Sequence, residues 1–176
     1  MNEHSQAWYV VHTKSRFENV VYEGLTRKAK DVFLPRVTRR SRRRDRKAYV
    51  HTPLFPGYLF VKTGETPGER LEVLKTVGVV SMIGNRDRPI PVTEVVIESL
   101  RIMVLVNDPI ETGPCFTAGE PVRVACGPFA GVEGAFLRHQ GSDRVVVNVP
   151  AMGQSASICV DADDVEPVSL KNTIIS

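Results

Sequence analysis

The stretch PLFPGYLFV, Pro53–Val61, decides how the first half of this chain folds. It joins large apolar side chains to turn-forming prolines and a glycine, and it follows the most basic segment of the protein. Side chains alternate along a strand, so beyond the glycine Tyr58 and Phe60 share one face and Leu59 lies on the other. One face can therefore fill a core while the other contacts a partner. The alternative is that both faces hold ordinary core residues.

Charge is divided unevenly along the 176 residues. Residues 1–106 carry 19 Lys and Arg against 11 Asp and Glu, whereas residues 107–176 carry 4 against 9. The net charges of the two parts are +8 and −5. This asymmetry predicts two domains with different partners, of which the basic one is the candidate for binding a polyanion.

Residues 1–106 are predicted to form an α+β sandwich, with helices packed on a mostly antiparallel sheet. Apolar and β-branched runs predict strands at Trp8–Thr13, Val32–Val37, Ala48–Thr52, Gly57–Lys62 and Val79–Ile83. Apolar spacing predicts helices over residues 15–30, 69–76 and 93–105. Ser15 and Glu18 have the spacing of a capping box at the start of the first helix. In the second helix, Leu71 and Leu74 are expected to face inward.

The second half of the chain has a different residue pattern, with short β-rich runs and many turn formers. Residues 107–118 contain Pro109, Gly113 and Pro114 without any period, so they are predicted to be a flexible linker. Residues 119–168 hold short β-rich runs between turn formers, at Val122–Cys126, Gly134–Leu137, Arg144–Val149, Ser155–Val160 and Asp164–Val168. This pattern predicts a small all-β barrel of SH3-like type. The tail, residues 169–176, is expected to be frayed.

The sequence contains no catalytic, metal-binding or membrane signature. Its histidines have no metal-ligand spacing with Cys115, Cys126 or Cys159, and it has neither a P-loop nor a nucleophile elbow. No apolar run approaches the roughly 20 residues of a membrane span, and the N-terminus lacks a secretory signal. We therefore expect a cytoplasmic protein that is not an enzyme, needs no cofactor and does not associate with membranes.

The strongest polar signal is the basic run from Arg36 to Lys47, in which eight of twelve residues are Arg or Lys and only Asp45 opposes them. It lies between two predicted strands and is expected to form a hairpin tip or a loop. Clustered arginines suit contacts with a phosphate backbone, and no aromatic residue interleaves the run to stack on bases. The alternative is a solvated surface segment. The predicted nucleic-acid contacts of this run are Arg39, Arg40, Arg42, Arg43 and Arg44.

Four motifs in order resemble the NusG family of transcription elongation and antitermination factors. They are WYVVHTK near the N-terminus, PLFPGYLFV, VGVVSMIG at Val77–Gly84, and GEPVRVACGPFAGVEG at Gly119–Gly134. The resemblance covers nearly the whole chain. It implies an N-terminal NGN domain over residues 1–106, a linker, and a C-terminal KOW domain over residues 119–168. Within the family, LFPGYLF and the short chain are more similar to the specialised RfaH-like paralogues than to housekeeping NusG.

The resemblance implies a binding site for the clamp helices of bacterial RNA polymerase. In the family, an apolar concavity of the NGN domain receives the tip of these helices, which promotes processive elongation without a catalytic residue. Carried over by motif, the concavity comprises Phe55, Tyr58 and Phe60, with His12 and Met82 at its edge. An aromatic residue usually stands in the family at the position of His12.

The remaining implied contacts involve nucleic acid and a partner of the KOW domain. Lys14 and Arg16 occupy the region with which some paralogues read non-template DNA; the alternative is that they are only exposed residues at a helix start. Phe129 and Met152 are the candidate contacts for ribosomal protein S10 or termination factor Rho. We expect a monomer. The competing hypothesis is an RNA-binding or ribosome-associated KOW protein that grips RNA with its basic loop.

One paralogue in the family refolds its KOW half into a helical hairpin, and we expect no such switch in this chain. The run Val145–Val149 favours strand, and Pro150 and Gly153 break helices.

Overall fold

Residues 5–42, 48–85 and 88–168 are described by the structure, a computed structural model. The chain divides into two units, Met1–Glu94 and Val95–Ser176. In the described part of the first unit the strands are β1 (Ala7–Thr13), β2 (Asp31–Phe33), β3 (Arg36–Arg40), β4 (Tyr49–Pro53), β5 (Tyr58–Thr63), β6 (Val79–Met82), β7 (Gly84–Asn85), β8 (Arg88–Pro89) and β9 (Pro91–Val92). The helices are α1 (Glu18–Arg27) and α2 (Pro67–Leu74), and α3 (Glu94–Leu105) follows at the boundary of the units.

The central sheet of the first unit is antiparallel and has the order β2-β5-β1-β6, with β9 also paired to β1. The strand pairs β3–β4 and β7–β8 form two separate ribbons. Strand β1 is buried on both faces, because Tyr9 and Val11 project to one side and Trp8 and Val10 to the other. The predicted α+β sandwich is confirmed.

One face of this sheet packs against the two helices. Val21 and Leu25 of α1 and Val73 of α2 form a buried cluster with sheet residues that include Val11 and Leu59. Full burial of each such side chain contributes about 1.5–3 kcal/mol. This cluster places the first turn of α1 beside the end of β1, where several of the predicted site residues lie.

The predicted capping box at Ser15 is wrong. Helix α1 begins at Glu18, and no described side chain caps its N-terminus. Arg16 has φ 64°, a left-handed conformation that cannot belong to an α-helix. The Glu18 carboxylate instead accepts a hydrogen bond from the Gly57 N–H at 2.8 Å. The Glu18 side chain therefore binds Gly57, which is distant in sequence and lies in the turn of PLFPGYLFV, and it makes no capping bond with Ser15.

Helix α2 starts earlier than predicted and faces the other way. Thr66 and Glu69 form a capping box, so the helix begins at Pro67. Val73 is the buried residue, whereas Leu71 and Leu74 are 48% and 40% exposed, which corrects the prediction that they point inward. In a helix of eight residues, two leucines three positions apart are compatible with a buried or an exposed leucine face. Their spacing alone therefore does not show which side of the helix packs on the sheet.

The predicted strand Val32–Val37 is divided in two. Strand β2 ends at Phe33 and pairs with β5, whereas β3 starts at Arg36 and pairs with β4. Pro35 separates them, and a proline has no N–H to donate to a strand ladder. The chain can therefore leave the central sheet here and enter the ribbon that carries the basic run.

Over residues 95–168, the second unit has strands β10 (Glu111–Pro114), β11 (Glu120–Val124), β12 (Glu133–His139), β13 (Ser142–Val149), β14 (Gln154–Cys159) and β15 (Val165–Pro167). They form an antiparallel sheet in the order β10-β14-β13-β12-β11-β15. The five predicted strands and the barrel-like all-β architecture are confirmed. Helix α3 belongs to this unit, and its Ser99 hydroxyl accepts from the Glu133 N–H at 3.0 Å.

The prediction that residues 107–118 are entirely flexible coil is wrong for β10. Glu111–Pro114 pairs antiparallel with β14, from Glu111 opposite Ser157 to Pro114 opposite Gln154. The segment ETGP has no β pattern of its own, and its strand conformation comes from the backbone groups of β14. The predicted frayed tail, residues 169–176, lies outside the described residues. The domain boundary at residue 106 stays a prediction.

Candidate functional site

The β1–β5 pair brings three of the predicted contact residues to one face of the central sheet. His12 lies opposite Tyr58, and Val10 lies opposite Phe60. Directly opposite residues of an antiparallel pair project to the same side, so His12, Tyr58 and Phe60 share a face. The His12 and Tyr58 rings stack, with centroids 5.1 Å apart and planes at 25°. We call His12, Phe55, Tyr58 and Phe60 the aromatic face.

Phe60 is the centre of the ring contacts on the aromatic face. The Phe33 ring stacks on it at 5.9 Å, and the Phe55 ring meets it edge-on at 6.5 Å. Phe55 and Phe60 are 1% and 0% exposed, whereas His12 and Tyr58 are half-buried. The accessible part of the face is therefore the His12–Tyr58 stack, and the two phenylalanines are core residues in this conformation.

The structure does not bring Met82 to the aromatic face. Met82 lies opposite Val11 and packs on the buried cluster against α1 and α2. His12 and Val11 are neighbours in β1, so their side chains point to opposite sides of the sheet. This corrects the prediction of Met82 at the edge of the concavity.

A groove lies where the end of β1 meets the start of α1. Its volume is about 590 Å³, and His12, Arg16, Asn19, Thr52 and Gly57 contribute to its lining. Gly57 has φ 83°, which the turn into β5 requires and which a glycine adopts without strain. The groove therefore joins the accessible edge of the aromatic face to a cationic side chain.

Lys14 and Arg16 lie in a tight turn beside this groove, and both are exposed. The Lys14 N–H donates to the Gly78 carbonyl at 2.8 Å, and the Lys14 carbonyl accepts from the Phe17 N–H at 3.0 Å. These bonds fix the backbone of the turn and leave both charged ends at the surface. The two predicted residues are thus neighbours of the groove, in a turn that precedes the helix and not in the helix itself.

The first part of the basic run lies on the β3–β4 ribbon, which we call the basic ribbon (Arg36–Arg40 with Tyr49–Pro53). At its root, Arg36 donates a hydrogen bond to Asn19 Oδ1 of α1 and lies 5.4 Å from the centroid of the Tyr22 ring. Arg39 and Arg40 on β3 and Arg42 beyond it are exposed. Arg43 and Arg44 lie outside the described residues.

The sequence-based reasoning missed Tyr49. It follows the basic run, but the register places it directly opposite Arg40, and it is 75% exposed. The pairing of the two strands reveals this neighbour, because Tyr49 is nine positions after Arg40 along the chain. A sequence-based indication did exist: if residues 49–53 form a strand antiparallel to the basic run, side chains alternate along it, and Tyr49 and His51 project to the same face.

In the second unit, Phe129 is buried in the turn that contains Gly127 and Gly131. Met152 is half-buried at the end of a 3-10 turn, Pro150–Met152, which closes at Gly153 in the left-handed conformation. Near Phe129, the Cys126 thiol donates to Asp164 Oδ1 at 2.9 Å, and this hydrogen bond raises the pKa of Cys126. The thiol is thus held protonated, the form that is not nucleophilic.

Two further chemical properties bear on the site. Within residues 5–42, 48–85 and 88–168, no group of three or more His, Cys, Asp or Glu side chains is arranged to hold a metal ion. None of the helices in the described residues is both long enough and apolar enough to cross a membrane.

Comparisons with known proteins identify relatives of this chain in sequence and in fold. The family model for NusG, a transcription termination factor, matches residues 6–101. The chain is 28% identical to the transcription termination/antitermination protein NusG of Pseudomonas aeruginosa, over 93% of this chain and 99% of that protein. It is 29% identical to the protein of the same name from Thermus thermophilus, over 90% and 96%. A solved structure of Thermotoga maritima NusG, 22% identical, covers 94% of this chain and 98% of its own with a TM-score of 0.53, which shows a shared fold.

Proposed function

This chain belongs to the NusG family, and we propose that it is a transcription elongation and antitermination factor that docks on the clamp helices of bacterial RNA polymerase. The observation that carries the proposal is the His12–Tyr58 stack at the accessible edge of the aromatic face. A half-buried aromatic pair over a packed core is the kind of rigid anchor that dominates protein interfaces. Full burial of an exposed large apolar side chain contributes about 1.5–3 kcal/mol, and a ring that is already half-buried contributes part of that on docking.

The mechanism needs no reacting group on this chain. A factor that binds the clamp helices and bridges the two jaws of the cleft stabilises the closed polymerase relative to the open, pause-prone one, because it binds the closed state more tightly. The shift of the equilibrium toward the closed polymerase is limited by the ratio of the factor's affinities for the closed and open states. Phe55 and Phe60 support the docking surface from the core, and Tyr58 and His12 make the contact.

The test is binding of the full-length chain to a clamp-helix fragment of bacterial RNA polymerase. Tyr58→Ser should weaken binding by about tenfold or more, since it removes a ring from the accessible stack. Tyr58→Phe keeps the ring and should bind nearly as well as the wild type. Equal binding by the wild type and Tyr58→Ser, with unchanged far-UV circular dichroism, would exclude this face as the docking site.

Nucleic acid is the second proposed contact. Lys14, Arg16, Arg39, Arg40 and Arg42 are exposed cations on the first unit, and each phosphate contact makes affinity depend on salt. The competing function, an RNA-binding or ribosome-associated KOW protein, is favoured by the same cations. Substitution of Arg39, Arg40 and Arg42 by Gln should leave clamp-helix binding intact if the elongation-factor proposal holds. Loss of all cellular function in that variant, but not in Tyr58→Ser, would favour the ribosome-associated protein.

For the second unit we propose a protein partner, either ribosomal protein S10 or termination factor Rho. Met152 is the accessible candidate, whereas Phe129 is buried in the core of the unit in this conformation. Met152→Ser should weaken binding of one of these two proteins. Unchanged binding of both, or no binding by the wild type, would refute the assignment.

We also propose that the chain is a specialised paralogue, on the grounds of LFPGYLF and the dense basic run. A specialised factor should occupy RNA polymerase on a few transcription units. If chromatin immunoprecipitation found the factor with RNA polymerase on nearly all transcription units, it would be identified as the general factor.

A further inference from the structure

The basic ribbon presents an aromatic ring on the same face as one of its arginines. Tyr49 and Arg40 are directly opposite each other. Thr38 and His51 are also directly opposite each other, two positions closer to the root of the ribbon at Arg36 and Pro53. Side chains of directly opposite residues share a face, and alternate pairs along a ribbon do so as well. Tyr49, Arg40, Thr38 and His51 therefore form one face of the ribbon, and all four are exposed.

The ribbon is held at its root and exposed beyond it. Arg36 is engaged with Asn19 and Tyr22 of α1, and the Leu54 N–H donates to the Pro35 carbonyl at 2.8 Å where the ribbon rejoins the central sheet. On the Tyr49 face, the Thr38 hydroxyl and His51 Nδ1 lie 3.3 Å apart. These contacts anchor the root of the ribbon to α1 and to the central sheet, and they leave the Tyr49 end exposed.

The charge on the ribbon is uncompensated within the described residues. No carboxylate there lies within ion-pair distance of Arg39 or Arg40. Tyr49 is 75% exposed, so a base stacked on its ring would cover apolar surface that is otherwise open to solvent. An exposed ring beside cations is the arrangement with which proteins bind unpaired strands, because every unpaired base offers a π-face.

We propose that the basic ribbon binds a single-stranded nucleic acid, with a base stacked on Tyr49 and the neighbouring phosphate bound by Arg40. Bases inside a duplex are stacked on one another, so the ring selects an unpaired strand over a duplex. The inference deepens the proposed nucleic-acid contact and rests on it. It also revises the expectation that the run contacts only the backbone, since strand pairing supplies the aromatic residue that the run itself lacks.

The test is fluorescence anisotropy of the full-length chain with labelled strands of about 12 nucleotides, in DNA and RNA forms, and with a duplex of the same length. Tyr49→Ala should weaken single-strand binding by about 5- to 150-fold and change duplex binding little. Tyr49→Phe should bind as the wild type does. Phe116→Ala, which removes another exposed ring, is the matched control and should have no effect. Arg40→Gln should lower the salt slope by about 0.7 for a single strand.

Three outcomes would overturn the proposal. Equal binding of wild type and Tyr49→Ala to single strands would refute the stack and leave the backbone contact standing. Stronger binding to the duplex than to either single strand would refute the selectivity. Absence of any nucleic-acid binding by the wild type would refute the proposal as a whole. Clamp-helix binding by Tyr49→Ala, measured in parallel, shows separately whether the polymerase docking stands.

Discussion

Glu18 connects the first helix to the turn of PLFPGYLFV. Its carboxylate accepts from the Gly57 N–H, and the Gly57 carbonyl in turn accepts from the Thr13 N–H at 2.8 Å. The end of β1, the turn before β5 and the start of α1 are thereby joined at one point, next to the His12–Tyr58 stack. The sequence placed Glu18 correctly near a helix start. It could not show the partner, which is 39 residues away.

Loss of this acceptor should destabilise the first unit. In Glu18→Ala the Gly57 N–H loses its bond in a half-buried position, and we expect a loss of about 1–3 kcal/mol in unfolding free energy. Glu18→Gln keeps an acceptor oxygen and should lose less. Urea unfolding followed by circular dichroism measures both. Equal midpoints for Glu18→Ala and the wild type would show that water satisfies the amide.

At the scale of elements, the sequence predicted the strands that have a strong apolar pattern. It did not predict the buried side of the short helix α2 or the existence of the short strand β10. β1 and β5 appear where their β-branched and aromatic runs indicated. The orientation of α2 and the strand β10 did not follow from the sequence, because each depends on which surface lies opposite. A helix of two turns and a strand of four residues contain too little pattern to indicate that surface.

The orientation of α2 can be checked by substitution. Val73→Ala removes buried methyl groups and should cost about 1–3 kcal/mol in unfolding free energy. Leu71→Gln and Leu74→Gln change exposed side chains and should stay within about 0.5 kcal/mol of the wild type. Thermal or urea unfolding decides between the two orientations. A larger loss at either leucine than at Val73 would restore the inward-facing prediction.

Strand β10 should depend on pH through Glu111. Arg144 holds the Glu111 carboxylate with contacts of 2.6 and 2.8 Å, and this hydrogen bonding lowers the pKa of Glu111 below its ordinary value of 4.5. A lowered carboxyl pKa stabilises the folded state above the ordinary pKa, and the contribution disappears as the pH falls through the lowered one. Glu111→Gln should therefore reduce the urea midpoint at pH 7 and leave it unchanged at strongly acidic pH. An equal reduction at both pH values would assign the effect to packing.

At the scale of the whole molecule, the uneven distribution of charge along the sequence predicts two parts. The fold also divides the chain in two, but it groups α3 with the second unit. In that unit Ser99 of α3 exchanges hydrogen bonds with both backbone groups of Glu133, at 3.0 and 3.3 Å. The periodicity of α3 identified it as a helix and could not identify the strand on which it packs.

The position of α3 predicts how fragments of the chain behave. A fragment of residues 95–176 should unfold at a higher urea concentration than one of residues 107–176, because it retains the contact with Glu133. Ser99→Ala in the longer fragment should lower its stability by about 1 kcal/mol. Identical midpoints for the two fragments would show that α3 does not contribute to the second unit.

The sequence by itself determined the class of each half, the positions of the main strands, the family and the basic run. These depend on patterns within a few residues, or on motifs read in order. Only the tertiary structure decided which side chains are in contact. It shows that Met82 lies on the side of the sheet opposite the aromatic face, that Glu18 binds Gly57, and that Tyr49 is paired with Arg40. Register and the choice of buried face are decided by contacts between residues far apart in the chain, and local pattern does not encode them.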